Sequence, residues 1–183
     1  MVLASQSPRR RDLLRLITTD FSVVPANIDE SHRTDESASE YVCRLAEGKA
    51  RAIADQVAPE EIIIGSDTAV TCGGYILNKP RDKEDYLTMM ELLSGTTHQV
   101  YSGICVLHGA QLMIRSVRTD VTFRELSISE RLNYWDTGEP SDKAGGYGIQ
   151  GAAARFVQSI NGSYTNVIGL PLVELEAMLN GAS

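Results

Sequence analysis

Three consecutive isoleucines, Ile62 to Ile64, run into Gly65-Ser66-Asp67-Thr68 and set the strongest constraint on how this chain can fold. A β-branched run without polar alternation reads as a central strand covered on both faces, and such strands are typical of α/β proteins. Asp67 is then expected at or near the end of that strand, which Ala69-Val70 could extend, and α/β folds often place their chemistry at such ends.

The sequence on either side supplies strands and helices in alternation. Residues 2–4 form a short apolar run, Ser7 suits a helix N-cap and Pro8 the first helical position. Leu13, Leu14 and Ile17 give that helix a face to bury. It would open with Arg9, Arg10 and Arg11, cations that a helix dipole disfavours by about 0.3–1 kcal/mol each. An anion held by the arginines and the free N–H groups would reverse the penalty; a solvated basic helix start is the alternative. After a polar loop over residues 25–36, Ser37 and Glu40 suggest a capping box for a helix of about 18 residues. Its apolar face is Val42, Leu45, Ala46, Ala50, Ile53, Ala54 and Val57. Lys49 falls on or beside that face, so it either snorkels to water or turns its ammonium into a cleft beside the core. Gly48, next to it, should weaken the helix by about 0.5–1 kcal/mol relative to alanine.

Beyond the isoleucine run, Cys72-Gly73-Gly74 marks a turn before a short strand at 75–77, closed by Asn78-Lys79-Pro80. Leu87, Met90 and Leu93 pattern a helix ending near Gly95. Residues 98–107 and 112–121 read as a hairpin around His108-Gly109-Ala110, with His108 at the surface. Ser127 and Glu130 make a second capping box, for a helix that ends near Gly138 because Pro140 follows. A glycine-rich loop over 141–151, a strand at 156–160, a turn at Asn161-Gly162 and a terminal helix at 171–179 complete the chain. The glycine loop matches neither the phosphate-loop nor the dinucleotide-binding pattern.

At 183 residues the chain can build one substantial core, or two small lobes sharing one sheet. A hydrophobic content of 43% argues against disorder. The net charge of -7 argues against a general nucleic-acid surface, so localised basic residues point to a small anionic ligand instead. There is no 18-residue apolar run to suggest a membrane span and no signal-peptide pattern, which makes the cytoplasm the expected compartment. Cys43, Cys72 and Cys105 are scattered and read as reduced packing residues.

Acids beside cations suggest phosphate chemistry. Arg9, Arg10, Lys49 and Lys79 could neutralise phosphate oxygens, while Glu30 and Asp67 could hold a divalent cation or prepare a water. Magnesium is served by carboxylate, water and phosphate oxygens, so the lack of ligand-like spacing among His32, His98 and His108 does not count against it. Each site residue also has a structural reading. Arg11 would simply face water, Lys79 would pair at a strand end, and Asp142 and Lys143 would pair within their loop.

Taken in order, the segments resemble the Maf family of nucleoside triphosphate pyrophosphatases. The matching pieces are Leu3-Ala4-Ser5, Ser7-Pro8-Arg9-Arg10, Glu30, Lys49-Ala50, Gly65-Ser66-Asp67-Thr68, Asn78-Lys79-Pro80 and Thr137-Gly138-Glu139-Pro140. They continue through Asp142-Lys143-Ala144-Gly145, Tyr147-Gly148-Ile149-Gln150-Gly151, Gly162-Ser163-Tyr164, Asn166-Val167 and Gly169-Leu170-Pro171. The resemblance implies one Maf-like catalytic domain over residues 1–183, an α/β fold with an elongated mixed central sheet flanked by helices. Two lobes would surround a nucleotide cleft, in the Maf/ITPase-like manner.

It also implies hydrolysis between the α and β phosphates, a divalent metal cation (Mg2+ or Mn2+) and often a homodimer, with no stable nucleic-acid partner and no membrane. Asp67, Glu30, Lys49 and Lys79 match catalytic positions, Glu30 and Asp67 being the metal-binding pair among them. Ser7, Arg9, Arg10, Thr68 and Gln150 match substrate-binding positions. Of these, Arg9, Thr68 and Gln150 are associated with the dTTP/UTP branch, with modified pyrimidine nucleotides as further substrates. The competing reading is a nucleotide-binding regulator of septum formation or cell division without important catalysis.

Overall fold

A computed structural model describes residues 1–182. In chain order the elements begin with β1 (Val2–Ala4), α1 (Pro8–Leu14), β2 (Ser22–Val23), α2 (Ala38–Ala52), β3 (Ile63–Cys72), β4 (Tyr75–Leu77) and α3 (Lys83–Leu93). They continue with β5 (Thr97–His108), β6 (Gln111–Phe123), α4 (Ile128–Trp135), β7 (Val157–Asn161), α5 (Tyr164–Ile168) and α6 (Leu172–Ala182). Seven strands form one mixed sheet in the order β2-β1-β3-β5-β6-β7, with β4 paired to β3 off that path. β1 runs parallel to both β2 and β3, whereas β4 on β3 and β7 on β6 are antiparallel.

Local capping chemistry sets the helix starts. Ser7 caps α1, with Pro8 at its first position, and both expected capping boxes form, Ser37 with Glu40 and Ser127 with Glu130. α2 is shorter than its apolar pattern suggested, ending at Ala52, and a 3-10 turn over Ala54–Gln56 carries the pattern on. β3 takes up the Ala69-Val70 extension and runs on to Cys72, so Asp67 lies inside the strand. Val70, Thr71 and Cys72 are drawn into the ladder by antiparallel pairing with Leu77, Ile76 and Tyr75. Gly73 and Gly74, at φ +57° and +86°, make the tight turn that this hairpin requires.

The chain divides into two compact units. The first comprises residues 1–68, 102–117 and those from 165 on; the second comprises residues 69–101 and 118–164. In the first, Val2, Ala4, Ala46, Ala50, Ile53, Ile63, Cys105 and Leu107 form a buried cluster against which Ala54 and Val57 also pack. In the second, Tyr86, Phe123, Tyr134 and Phe156 are fully buried; Phe156 meets Phe123 and Tyr134 edge to face, the latter at 5.3 Å and 88°, and Tyr86 lies tilted against Tyr134. Among the described residues no helix is long and apolar enough to cross a membrane. The three cysteines are free thiols.

Candidate active site

In the first unit, α2 lies directly on the backbone of the sheet. A Cβ on Gly65 would overlap the carbonyl of Ala46, and one on Gly103 would overlap that of Val42. Glycine at both points therefore lets helix and strands touch through their main chains. Lys49 stands one helical turn beyond Ala46, and Asp67 two residues beyond Gly65, so this contact brings the two side chains together. Lys49 Nζ donates to Asp67 Oδ1 at 2.6 Å and pairs with Glu30 Oε1 at 2.7 Å. Lys49 and Asp67 are both buried, while the Glu30 side chain is 47% exposed. Of the two readings open for Lys49, the structure selects the one that turns the ammonium inward.

The loop carrying Glu30 is held at two points. Tyr41 donates its hydroxyl to the Glu30 carbonyl at 2.8 Å. Burial, reinforced by the charges of Asp67 and Glu30, pushes the Tyr41 phenol up to about 12, which keeps it a neutral donor. The second point is Gly48, whose missing side chain admits Ile28; a Cβ there would stand 3.1 Å from Ile28 Cδ1. The helix-weakening glycine is thus where the loop packs on α2.

A second group adjoins the first through the Asp67-Thr68 peptide. Arg10 donates from Nε to the Gly169 carbonyl at 2.8 Å, from Nη2 to Thr68 Oγ1 at 3.0 Å and from Nη1 to Ser5 Oγ at 3.4 Å. Thr68 Oγ1 lies 2.8 Å from Ser102 Oγ, and Ser102 donates to the Asn166 carbonyl at 2.9 Å. Ser102 therefore accepts from Thr68, and the hydroxyls form a one-way relay that starts at Arg10. Ser66 adds a second donor to the Gly169 carbonyl, at 3.0 Å. Ser7 accepts the Arg10 backbone N–H at 3.4 Å as the cap of α1. Burial draws the Arg10 guanidinium below its usual range; Asp67 and Glu30 oppose that shift and Arg9 adds to it. A guanidinium remains charged under such a shift.

The first unit thus gathers Ser7, Arg9, Arg10, Glu30, Lys49, Asp67 and Thr68. Arg11 is exposed and 3.9 Å from Asp12, as its structural reading expects. Ser102 and Tyr41 were not anticipated, and Ser66 and Gly169 stood in matched segments without a role in the site. Gly169, at φ +123°, is the one with a sequence signal, since only glycine readily takes that conformation.

Lys79 and Gln150 belong to the second unit, where both are exposed. The Gly145 N–H donates to the carbonyl of Asn78 at 3.1 Å, which ties the glycine loop to the residue before Lys79. A Cβ on Gly145 would meet the Val70 side chain at 3.0 Å, and one on Gly146 would meet the Tyr86 ring at 2.9 Å. Behind that loop, His98 Nε2 and the Tyr147 hydroxyl are 2.8 Å apart in a fully buried contact. Lys143 pairs with Asp142 at 2.6 Å, as the structural reading of that pair expects.

Hard oxygen ligands are what Mg2+ or Mn2+ would use here. Among the described residues no group of three or more His, Cys, Asp or Glu could hold a metal. Glu30 and Asp67 form a carboxylate pair, already converging on one cationic group. One or two carboxylates completed by substrate phosphates and water is the usual magnesium arrangement, and the donor set fits it.

The model of the family described as Maf-like protein matches residues 1–182. A dTTP/UTP pyrophosphatase of Saccharophagus degradans is 49% identical over 98% of this chain and 87% of its own length. Another, from Colwellia psychrerythraea, is 46% identical over 100% of this chain and 88% of its own. Among solved structures, the Staphylococcus aureus Ham1 protein superposes with a TM-score of 0.56 at 14% identity, covering 100% of this chain and 98% of that one. That last likeness is one of fold.

Proposed function

Because this chain belongs to the Maf family, we propose that it hydrolyses dTTP and UTP to the nucleoside monophosphate and pyrophosphate, with modified pyrimidine triphosphates as further substrates. The observation that carries this reading is the convergence of Glu30 and Asp67 on Lys49, beside a half-buried Arg10. Carboxylates able to orient water, next to cations able to take up phosphate charge, suit hydrolysis of a phosphoric anhydride.

In this reaction Asp67 orients the attacking water and accepts its proton, while Lys49 holds the carboxylate in place. The water oxygen bonds to the α phosphorus as the bond to the oxygen bridging to the β phosphate breaks, and pyrophosphate leaves with that oxygen. Arg10, and by the family resemblance Lys79, neutralise the charge that the leaving group gains. A divalent cation on Glu30 and Asp67 would polarise phosphate oxygens and lower the pKa of a bound water. By the same resemblance Ser7 contacts phosphate, and Arg9, Thr68 and Gln150 read the base. The carbonyl oxygens and ring N–H of a pyrimidine suit such hydrogen-bonding partners. Three free thiols suit a reducing compartment, and we place the enzyme in the cytoplasm, where such substrates occur. The implied homodimer would be read as twice the 20.0 kDa chain in sedimentation equilibrium.

The test measures pyrophosphate release from dTTP, UTP, CTP and 7-methyl-GTP, with Mg2+, with Mn2+ and after chelation. Asp67→Asn is expected to lower dTTP and UTP turnover by about 100- to 10,000-fold while the near-UV circular dichroism is retained. Full activity in that variant overturns the role of Asp67. Tight nucleotide binding without pyrophosphate release overturns the enzyme in favour of the regulator.

A further inference from the structure

Residues 148–151 form a turn closed by the Gly151 N–H on the Gly148 carbonyl at 3.1 Å, with Ile149 buried and Gln150 exposed. A turn bounded by two glycines has much conformational freedom to lose, so whatever holds it decides how Gln150 is presented. Two side chains from the preceding segment hold it at both ends. Tyr134 Oη accepts the Gly148 N–H at 3.0 Å, and Glu139 Oε2 accepts the Ala152 N–H at 3.0 Å. The two are joined, because Tyr134 donates its hydroxyl to Glu139 Oε1 at 2.8 Å.

The clamp is itself anchored. Tyr134 is fully buried, and burial raises its phenol above the usual range, so it remains a donor to the carboxylate. Glu139 follows Gly138, which sits at φ +75°, and its carbonyl accepts Lys143 Nζ at 2.6 Å. The two glycines of the turn make room for the clamp. A Cβ on Gly151 would overlap the Glu139 carboxylate, and one on Gly148 would stand 3.0 Å from Glu139 Oε1 and 2.7 Å from Lys143 Cε.

We propose that Tyr134 and Glu139 are positioning residues that fix the Gln150 turn in the shape in which it meets the base, and so set pyrimidine preference without touching substrate. This rests on the reading of Gln150 as a base-contacting residue. Fixing both ends of the turn lowers the ordering cost of recognition, and a glutamine amide selects between bases only if its direction is fixed.

The test compares Tyr134→Phe, which removes one hydroxyl and keeps the ring, with Glu139→Gln and Gln150→Ala, using dTTP and dGTP as substrates. Tyr134→Phe and Glu139→Gln are each expected to raise KM for dTTP roughly tenfold, the effect of losing one or two hydrogen bonds that hold the turn. Their kcat should stay within about twofold, and in the Gln150→Ala background Tyr134→Phe should add less than about twofold. All three should narrow the preference for dTTP over dGTP in kcat/KM. If Gln150→Ala narrows the preference and the clamp variants only lower the melting temperature, the positioning role is overturned and the reading of Gln150 stands. Clamp effects that add in full to Gln150→Ala also overturn that role. If Gln150→Ala keeps the wild-type preference, the reading of Gln150 fails and the proposal falls with it.

Discussion

Lys49 stands 2.6 Å from Asp67 and 2.7 Å from Glu30, so a single ammonium joins the sheet to the loop before α2. Replacing it by methionine keeps the length of the side chain but leaves two carboxylates facing each other with no cation between them. Lys49→Met is expected to destabilise the protein by about 3 kcal/mol, the order found when one partner of a buried pair is removed. Urea denaturation at pH 7 measures this, and a stability close to that of the wild type would contradict the geometry.

Gly65 and Gly48 separate two uses of glycine. Gly65→Ala forces a methyl group into the Ala46 carbonyl and should cost about 1–3 kcal/mol while displacing Lys49, so stability and turnover fall together. Gly48→Ala meets only the tip of Ile28, which can turn aside, and gains about 0.5–1 kcal/mol of helix preference. It should change stability little in either direction. Equal losses in the two variants, measured by guanidinium denaturation, would refute the distinction.

His98 gives stability a pH dependence of definite sign. Burial holds it down to about 4, and its nearest neighbours are the Tyr147 hydroxyl and the Phe123 ring. Burial pushes the Tyr147 phenol up, so neither neighbour titrates in this window. The folded state keeps the imidazole neutral while the unfolded chain protonates it near 6.5, so the contribution is complete above about pH 6.5 and is lost as pH falls towards 4. Between pH 7 and pH 5 the unfolding free energy should drop by about 2 kcal/mol on this account. His98→Gln should drop much less over the same interval, and an equal drop in both proteins would assign the effect to other groups.

Features written in neighbouring residues were readable before the structure. The caps at Ser7, Ser37 and Ser127 and the glycine turn at Gly73-Gly74 need only local side-chain and backbone geometry. Asp67 was expected at or near the end of its strand, with Ala69-Val70 able to extend it; the strand runs on to Cys72 because it pairs with β4. Gly48 showed its local cost and not its purpose, since Ile28 reaches it from a separate loop. His108 was expected at the surface, yet its Nδ1 lies 3.0 Å from the Ala182 carbonyl at the far end of the chain. The relay from Arg10 through Thr68 and Ser102 to Asn166 joins four separate segments, and no periodicity in one segment announces it.

Contact between α2 and the sheet at Gly65 and Gly103 is made by peptide atoms, whose dimensions do not change with sequence. The height of the helix above β3 is therefore insulated from drift in the surrounding core. Substitutions among Val42, Leu45, Ile53 or Ile63 can accumulate and be repacked, while the separation between a lysine on one element and an aspartate on the other is carried forward unaltered.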